Sequence, residues 1–89
     1  MPSVRIPPPY RGPTLGAEKV DVEGATVGDA LEAVERKYPG FLPQVLDDDG
    51  NLHRFVKLFK NGDHLVRDAL KAPLAAGDDL EIIAAIAGG

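Results

Sequence analysis

The chain contains no cysteine, only one serine, and no apolar run as long as a membrane span. Without cysteine there is no disulfide, no thiolate zinc site, and no thiol for a persulfide or thioester intermediate. Ser3 has no catalytic triad around it, and neither glycine-rich nucleotide motif, G-x-x-x-x-G-K-[ST] or G-x-G-x-x-G, occurs. These absences argue against an enzyme that carries its own side-chain active site.

Positive charge is also scarce. Ten basic residues face 14 acidic ones, giving a net charge of −4, and the lysines and arginines are scattered without a basic stripe. Such a field repels phosphate backbones and anionic lipid. The amino-terminal sequence has no long apolar segment, and no run approaches the roughly 18 residues of a membrane span. We therefore expect a cytoplasmic, soluble monomer that binds neither nucleic acid nor membrane.

The length of 89 residues leaves room for one compact domain and no second one. Val4 and Ile6 alternate with polar residues, which predicts a first strand that Pro7–Pro9 ends. A loop follows, and residues 19–23 place Val20 and Val22 on one face of a second strand. The two strands predict a hairpin.

A helix is predicted from Val27 to Tyr38. Thr26 is its expected N-cap, with Asp29 as the acidic partner three positions on, and Pro39-Gly40 ends it. Apolar residues recur at helical spacing along this segment. After the helix we predict an irregular segment at Phe41–Leu46, broken by Pro43, and then a turn at 47–50. A strand at 52–59 leads through an Asn61-Gly62 hairpin turn to Leu65 and Val66. A helical or 3₁₀ turn at 68–74 and a last strand at 80–86 complete the predicted order.

This order, β-β-α-β-β-β, predicts an α+β fold with a mixed sheet and one main helix, the arrangement of the β-grasp or ubiquitin-like roll. Residues 1–84 are assigned to the β-grasp domain and residues 85–89 to a flexible C-terminal tail. Gly88 and Gly89 lack β-carbons, so this end of the sequence fits a narrow cleft on another protein. Fully extended, the tail reaches about 16 Å at roughly 3.3 Å per residue.

In these features the sequence resembles the MoaD/ThiS family of sulfur carriers. The helix, the Asn61-Gly62 hairpin, the Gly77–Ile82 turn and strand, and the Ala85–Gly89 tail occur in the family's order across nearly the whole chain. Within the family, the Leu52–Val56 stretch and the segments upstream are most similar to the CysO type of carrier, which serves a cysteine synthase that uses O-phosphoserine.

The resemblance implies chemistry at Gly89. An E1-like enzyme of the MoeB/ThiF type would adenylate the carboxylate with ATP, and sulfide or a sulfurtransferase persulfide would displace AMP to leave a thiocarboxylate. A sulfur-acceptor synthase would then take the sulfur. The chain itself would be a carrier without a bound cofactor, not an enzyme.

Two other functions remain open. The same tail would suit the small subunit of molybdopterin synthase, inserting into a larger catalytic subunit. It would equally suit a ubiquitin-like modifier that forms isopeptide bonds, or a plain interaction module.

Partner contact is assigned to Phe55, Phe59, Ile86 and Ala87. On a strand from Phe55 to Phe59, both aromatic residues face away from Val56 and Leu58, and they are either covered by the Phe41–Leu46 segment or a neighbouring loop, or exposed for docking. No metal ligands are assigned, because His53 and His64 have no cysteine beside them, flank a predicted hairpin, and have no other chelators obviously placed with them. The run that begins at Asp47 has Leu52 and Leu58 where a calcium loop has its glycine and its glutamate, which indicates a solvated turn.

Overall fold

The computed structural model describes residues 1–84. In this part of the chain the strands are β1 (Ser3–Arg5), β2 (Lys19–Asp21), β3 (Val56–Lys60), β4 (Asp63–His64) and β5 (Asp79–Ala84). The α-helices are α1 (Val27–Lys37) and α2 (Leu42–Val45), and single 3₁₀ turns span Pro8–Tyr10 and Ala69–Lys71. The predicted order of strands around one main helix is confirmed.

The strands form one mixed sheet in the order β2-β1-β5-β3-β4. β1 is antiparallel to β2 and parallel to β5, and β3 is antiparallel to both β5 and β4. The last strand of the sequence is therefore the middle strand of the sheet, and the first hairpin lies on one side of it with the second on the other.

Helix α1 begins as its capping signal predicts. The hydroxyl Oγ1 of Thr26 accepts a hydrogen bond from the backbone N–H of Asp29 at 3.1 Å. The chain beyond the helix is held by Glu35, whose carboxylate accepts the backbone N–H groups of Gly40 and Leu42 at 2.7 to 3.2 Å. One side chain thus fixes how the polypeptide leaves the helix.

The segment predicted to be irregular at Phe41–Leu46 is instead the short helix α2, so this prediction was wrong. Pro43 lies within the first two helical positions, where its missing N–H would have had no partner in any case. A proline taken as a helix breaker is here compatible with a helix start. Phe41 and Val45 are fully buried in the cluster that α1 covers.

Two boundaries in the second hairpin also differ from the prediction. β3 begins at Val56, because Arg54 and Phe55 form a turn in which the N–H of Val56 donates to the carbonyl of His53 at 2.9 Å. β4 consists of Asp63 and His64, earlier than predicted. The turn itself is as predicted: Asn61 and Gly62 both have positive φ, 51° and 88°.

The core lies between α1 and the inner face of the sheet. Every strand except β4 contributes, as do α2 and the turn after β4. Its most buried large side chains are Ile6, Leu31, Phe41, Leu58 and Leu80. Alternation along β3 and β5 places Val56, Leu58, Leu80 and Ile82 inward, so the residues between them form the outer face of the sheet.

Asn61 ties the β3–β4 turn to the turn that precedes β5. Its backbone N–H donates to the carbonyl of Asp79, and its side chain accepts the N–H of Asp79, both at 2.8 Å. Its Nδ2 donates to Asp78 Oδ1 at 3.0 Å, while Asp78 Oδ2 accepts the N–H of Ala75 at 2.8 Å. These bonds, which we call the turn clasp, lower the pKa of Asp78, chiefly through the N–H of Ala75 and then through Asn61.

The turn clasp makes folding stability depend on pH. Because the folded-state pKa of Asp78 lies below its ordinary value of 3.8, its contribution is present above that value and is lost as the pH falls through the folded pKa. We expect the free energy of unfolding to fall less steeply below about pH 5 in Asp78→Asn than in the unaltered chain. Urea unfolding at several pH values measures this. The exposed Asp48→Asn is the control, and equal slopes for Asp78→Asn and the unaltered chain would contradict the prediction.

Leu15 occupies a left-handed backbone conformation with φ of 56°. A leucine there brings its Cβ close to the following carbonyl, a clash that asparagine tolerates better. The side chain is 87% exposed, so burial offsets none of this strain. Backbone hydrogen bonds of the loop hold Leu15 in this conformation: next to it, the N–H of Gly16 donates to the carbonyl of Arg11 at 2.8 Å.

Leu15→Asn should therefore stabilise the domain, by about 0.5 to 1 kcal/mol. Val66→Asn is a matched control, because Val66 is 77% exposed but has no positive φ. It should leave stability within about 0.5 kcal/mol of the unaltered chain. Chemical denaturation compares the two, and a Leu15→Asn variant no more stable than Val66→Asn would refute the strain.

Candidate functional site

The C-terminal tail follows directly from the central strand. Ala84, the last described residue of β5, pairs with Val56 at the start of β3. Gly88 and Gly89, assigned to the chemistry, and Ile86 and Ala87, assigned to partner contact, lie outside the described residues. Their roles stay predictions, as does the division into a domain at 1–84 and a tail at 85–89.

The base of the tail is firmly held. β5 is paired with β3 over five consecutive positions, from Leu80 opposite Lys60 to Ala84 opposite Val56. Leu80 and Ile82 are buried in the core beneath it. A segment leaving β5 therefore starts from a fixed point in the middle of the sheet, not from a loose edge.

Phe59 lies on the outer face of the sheet, three positions along β3 from Val56, the partner of Ala84. Its neighbours across the strands are Glu81 of β5 and His64 of β4. The rings of Phe59 and His64 stack, with centroids 4.8 Å apart and an angle of 19° between the planes. Because Phe59 is only half-buried, its ring is within reach of a partner protein.

The sequence predicted that Phe55 and Phe59 share a strand. Phe55 lies instead in the turn before β3. It is 40% exposed, and the guanidinium carbon of Arg54 lies 5.0 Å from its ring centroid, a cation–π contact. Since Phe55 immediately precedes Val56, it is close to the point where the tail begins. The Phe41–Leu46 segment leaves it uncovered, because that segment packs with α1 in the core.

Ile83 belongs to the same outer face and was not singled out from the sequence. It lies opposite Lys57 of β3 and is 36% exposed. The signal was available in the sequence, because period-two alternation with the buried Leu80 and Ile82 places position 83 outward. We call Phe55, Phe59 and Ile83 the apolar patch. Phe55 and Ile83 bring it to the base of the tail, Lys57 lies between its three members, and Arg54 contacts Phe55.

The two histidines make ordinary contacts. His53 Nε2 lies 3.0 Å from the carbonyl of Pro43, and His64 stacks on Phe59. Within residues 1–84, no three metal-ligating side chains come together. Asp47 Oδ1 accepts the N–H groups of Asp49 and Asn51 at 2.9 and 3.0 Å, the geometry of a turn.

The other end of the outer face is polar. The Nε of Arg5 donates to Asp79 Oδ2 at 2.8 Å, and this hydrogen bond raises the pKa of Arg5. Ser3 Oγ donates to Asp21 at 2.9 Å on the same side. The apolar patch and these polar pairs thus occupy different parts of the outer face.

The helices within residues 1–84 are all too short to span a membrane.

Comparison with known proteins agrees with this geometry. A chain in the crystal structure of the Amycolatopsis orientalis BexX/CysO complex superposes with a TM-score of 0.90 at 34% sequence identity, and the match covers 100% of both chains. This likeness confirms the β-grasp fold. The sulfur carrier protein CysO of Mycobacterium tuberculosis is 33% identical over 90 residues, covering 98% of this chain and 97% of that protein.

Small archaeal modifier protein 1 of Haloferax volcanii is 40% identical over 72 residues, which cover 80% of this chain and 79% of that protein. The relatives are carriers or modifiers, so the prediction of a carrier protein, and not an enzyme, is confirmed. The model of the ThiS family matches residues 10–89, nearly the whole length. The chain therefore belongs to the ThiS family of ubiquitin-like carrier proteins and, within it, resembles CysO over nearly the full length of both chains.

Proposed function

We propose that this protein carries sulfur as a thiocarboxylate on the terminal carbonyl of Gly89. The observation that supports this most is the end-to-end similarity to CysO, which covers 98% of this chain. The chain has no cysteine, so it has no thiol of its own with which to hold sulfur. The family resemblance implies that the carboxylate of Gly89 holds it instead.

The chemistry takes two steps on the partner enzymes. A carboxylate oxygen of Gly89 attacks the α-phosphorus of ATP, forming an acyl adenylate and releasing pyrophosphate. Sulfide, or the terminal sulfur of a sulfurtransferase persulfide, then attacks the acyl carbon and displaces AMP. With a persulfide donor, a second thiol must reduce the acyl disulfide that forms. ATP is bound by the activating enzyme, not by this chain.

The role of this protein is to present its tail. β5 fixes the base, and the glycines allow the end to enter a narrow active site without β-carbons in the way. The partners that follow are an E1-like adenylating enzyme, a sulfur donor, and a synthase that accepts the sulfur. The activating enzyme uses ATP and the sulfur donor supplies reduced sulfur. We propose that the reaction takes place in the cytoplasm.

Intact-mass analysis tests the proposal. The chain is incubated with the E1-like enzyme encoded in the same genome, ATP and sulfide, and we expect one oxygen-for-sulfur exchange. The exchange should depend on ATP and should disappear when Gly89 is deleted. A control is Gly12→Ala, at an exposed glycine that has no positive φ and lies far from the tail in sequence; this variant should carry the sulfur as the unaltered chain does.

Two results would contradict the carrier. One is an unchanged mass with an enzyme that is active on another carrier. The other is an exchange that survives deletion of Gly89, which would place the sulfur elsewhere.

A second function, protein modification, is favoured by the 40% identity to the small archaeal modifier protein 1. It begins with the same adenylation, but a lysine amine of a target protein attacks the acyl carbon and leaves an isopeptide bond. Extracts of cells that express a tagged chain distinguish the two. Conjugates that carry a glycine remnant on lysine support a modifier, whereas a free thiocarboxylate without conjugates supports a carrier alone.

The apolar patch is proposed to contact the activating enzyme. Phe59→Ser should weaken binding to that enzyme by about tenfold, the effect expected for loss of a buried aromatic contact, while the domain stays folded. Binding is measured by calorimetry and folding by thermal denaturation. Val66→Ser removes an exposed apolar side chain outside the patch and serves as control. Equal affinity of the two variants, or unfolding of Phe59→Ser, would count against this contact.

A further inference from the structure

One edge of β5 lacks a strand partner near the tail. β1 pairs with β5 from Ser3 opposite Asp79 to Arg5 opposite Glu81, and there the pairing ends. β5 continues to Ala84, still paired on its other side with β3. Over residues 82–84, the strand is therefore paired on one side alone within the described part of the chain.

The hydrogen bonds already present fix which groups face this open side. The N–H of Asn61 donates to the carbonyl of Asp79, so the odd-numbered residues of β5 bond to β3. The N–H of Ser3 donates to the carbonyl of Asp78, so the even-numbered residues, such as Leu80, bond to β1. By this alternation the carbonyl of Ile82 and the N–H of Ala84 point toward the open side.

Proline is the reason that β1 does not fill this position. The next residue of β1 able to donate to Ile82 would be residue 7, but Pro7 has no N–H. Its carbonyl, which would otherwise accept from Ala84, accepts instead the N–H of Tyr10 at 3.0 Å as the chain turns into the Pro8–Tyr10 3₁₀ turn. The three consecutive prolines therefore leave the edge of β5 open.

An open groove of about 460 Å³ separates this edge from the proline turn. Its lining includes both positive and negative side chains, Arg5, Arg11, Glu18 and Glu81, and the apolar Pro7–Pro9. Arg11 is occupied, donating to the carbonyl of Ile6 at 3.0 Å. A groove lined by both positive and negative charges does not select a charged ligand. The occupant is therefore inferred from two main-chain groups, the carbonyl of Ile82 and the N–H of Ala84.

We propose that an extended segment of the activating enzyme adds to this edge as a further strand, parallel or antiparallel to β5, in the position that β1 vacates. Its backbone N–H donates to the carbonyl of Ile82, and its backbone carbonyl accepts from the N–H of Ala84. This is strand addition at an exposed sheet edge, in which main-chain hydrogen bonds give the affinity. The inference rests on the proposed function, because it assigns a second contact to the same partner.

The position of the groove argues for this enzyme as occupant. Ala84 is the last described residue before the five that end in Gly89. A strand bonded to Ala84 holds the base of the tail in one register, and so sets the direction in which the terminal carboxylate points. Ile83, exposed on the adjoining outer face, gives an incoming apolar side chain a neighbour and joins the groove to the apolar patch.

Two variants of Ala84 test the proposal. Ala84→Pro removes the N–H that points to the groove, and Ala84→Val keeps it. Neither removes a hydrogen bond to β3, since Ala84 faces the other way. With the same-genome activating enzyme and no ATP, we expect the affinity of Ala84→Pro to fall at least tenfold and that of Ala84→Val to stay within threefold. Equal affinities would overturn the proposal.

Amide hydrogen exchange on the unaltered chain gives a second readout that does not depend on how the proline variant folds. The N–H of Ala84 should exchange at least tenfold more slowly in the complex than in the free chain. An unchanged rate in a saturated complex would overturn the proposal. The outcome is separable from the proposed function: a chain that is thiocarboxylated but shows no protection at Ala84 keeps the carrier function and loses the added strand.

Discussion

The pairing of β5 on both sides is the constraint on which the rest of this structure depends. The last strand enters the sheet between the two hairpins, parallel to β1 and antiparallel to β3. A parallel neighbour requires a long crossover, and residues 6–78, with α1 among them, provide it. Ala84, the last described residue, is thereby held in a strand at the middle of the sheet.

Because of this placement, the two faces of the sheet differ: one packs in the core and the other is exposed. Inward residues of β3 and β5 pack beneath α1 and hold the strands together. Outward residues carry the apolar patch and, at the other end of this face, the Arg5–Asp79 ion pair. In the proposed function, a partner that binds the patch lies close to the start of the tail. The contribution proposed for this protein is to present the carboxylate of Gly89 to that partner.

Local signals predicted much of the fold. Thr26 and Asp29 marked the start of α1, and Asn61-Gly62 marked the turn between β3 and β4, because both depend on nearby backbone geometry. The prediction of an irregular segment at Phe41–Leu46 was wrong, because Pro43 was interpreted as a helix breaker, whereas proline is permitted in the first turn of a helix. Phe55 was placed on a strand because the stretch from Leu52 to Phe59 was taken as a single strand, whereas the chain turns at residues 54 and 55 before β3 begins.

Other features depend on contacts between distant segments and were beyond the sequence. Asn61 binds Asp78 and Asp79 only because β3 and β5 are neighbours, which an element order does not reveal. The open edge at Ile82 and Ala84 likewise follows from the parallel placement of β1 and from Pro7 leaving it. At the site, the glycines and Phe59 stay predictions; the alternation that places Ile83 outward was present in the sequence, but the groove beside it was not predictable.

The central claim is that the terminal carboxyl carbon of Gly89 is the atom at which this protein reacts. Carbon-13 NMR on a chain labelled at that one carbon follows it directly through incubation with the activating enzyme, ATP and sulfide. The account predicts that the carboxylate resonance is replaced by a single thiocarboxylate resonance, and only when ATP is present. A resonance that stays that of a carboxylate while the enzyme turns over another carrier would contradict it.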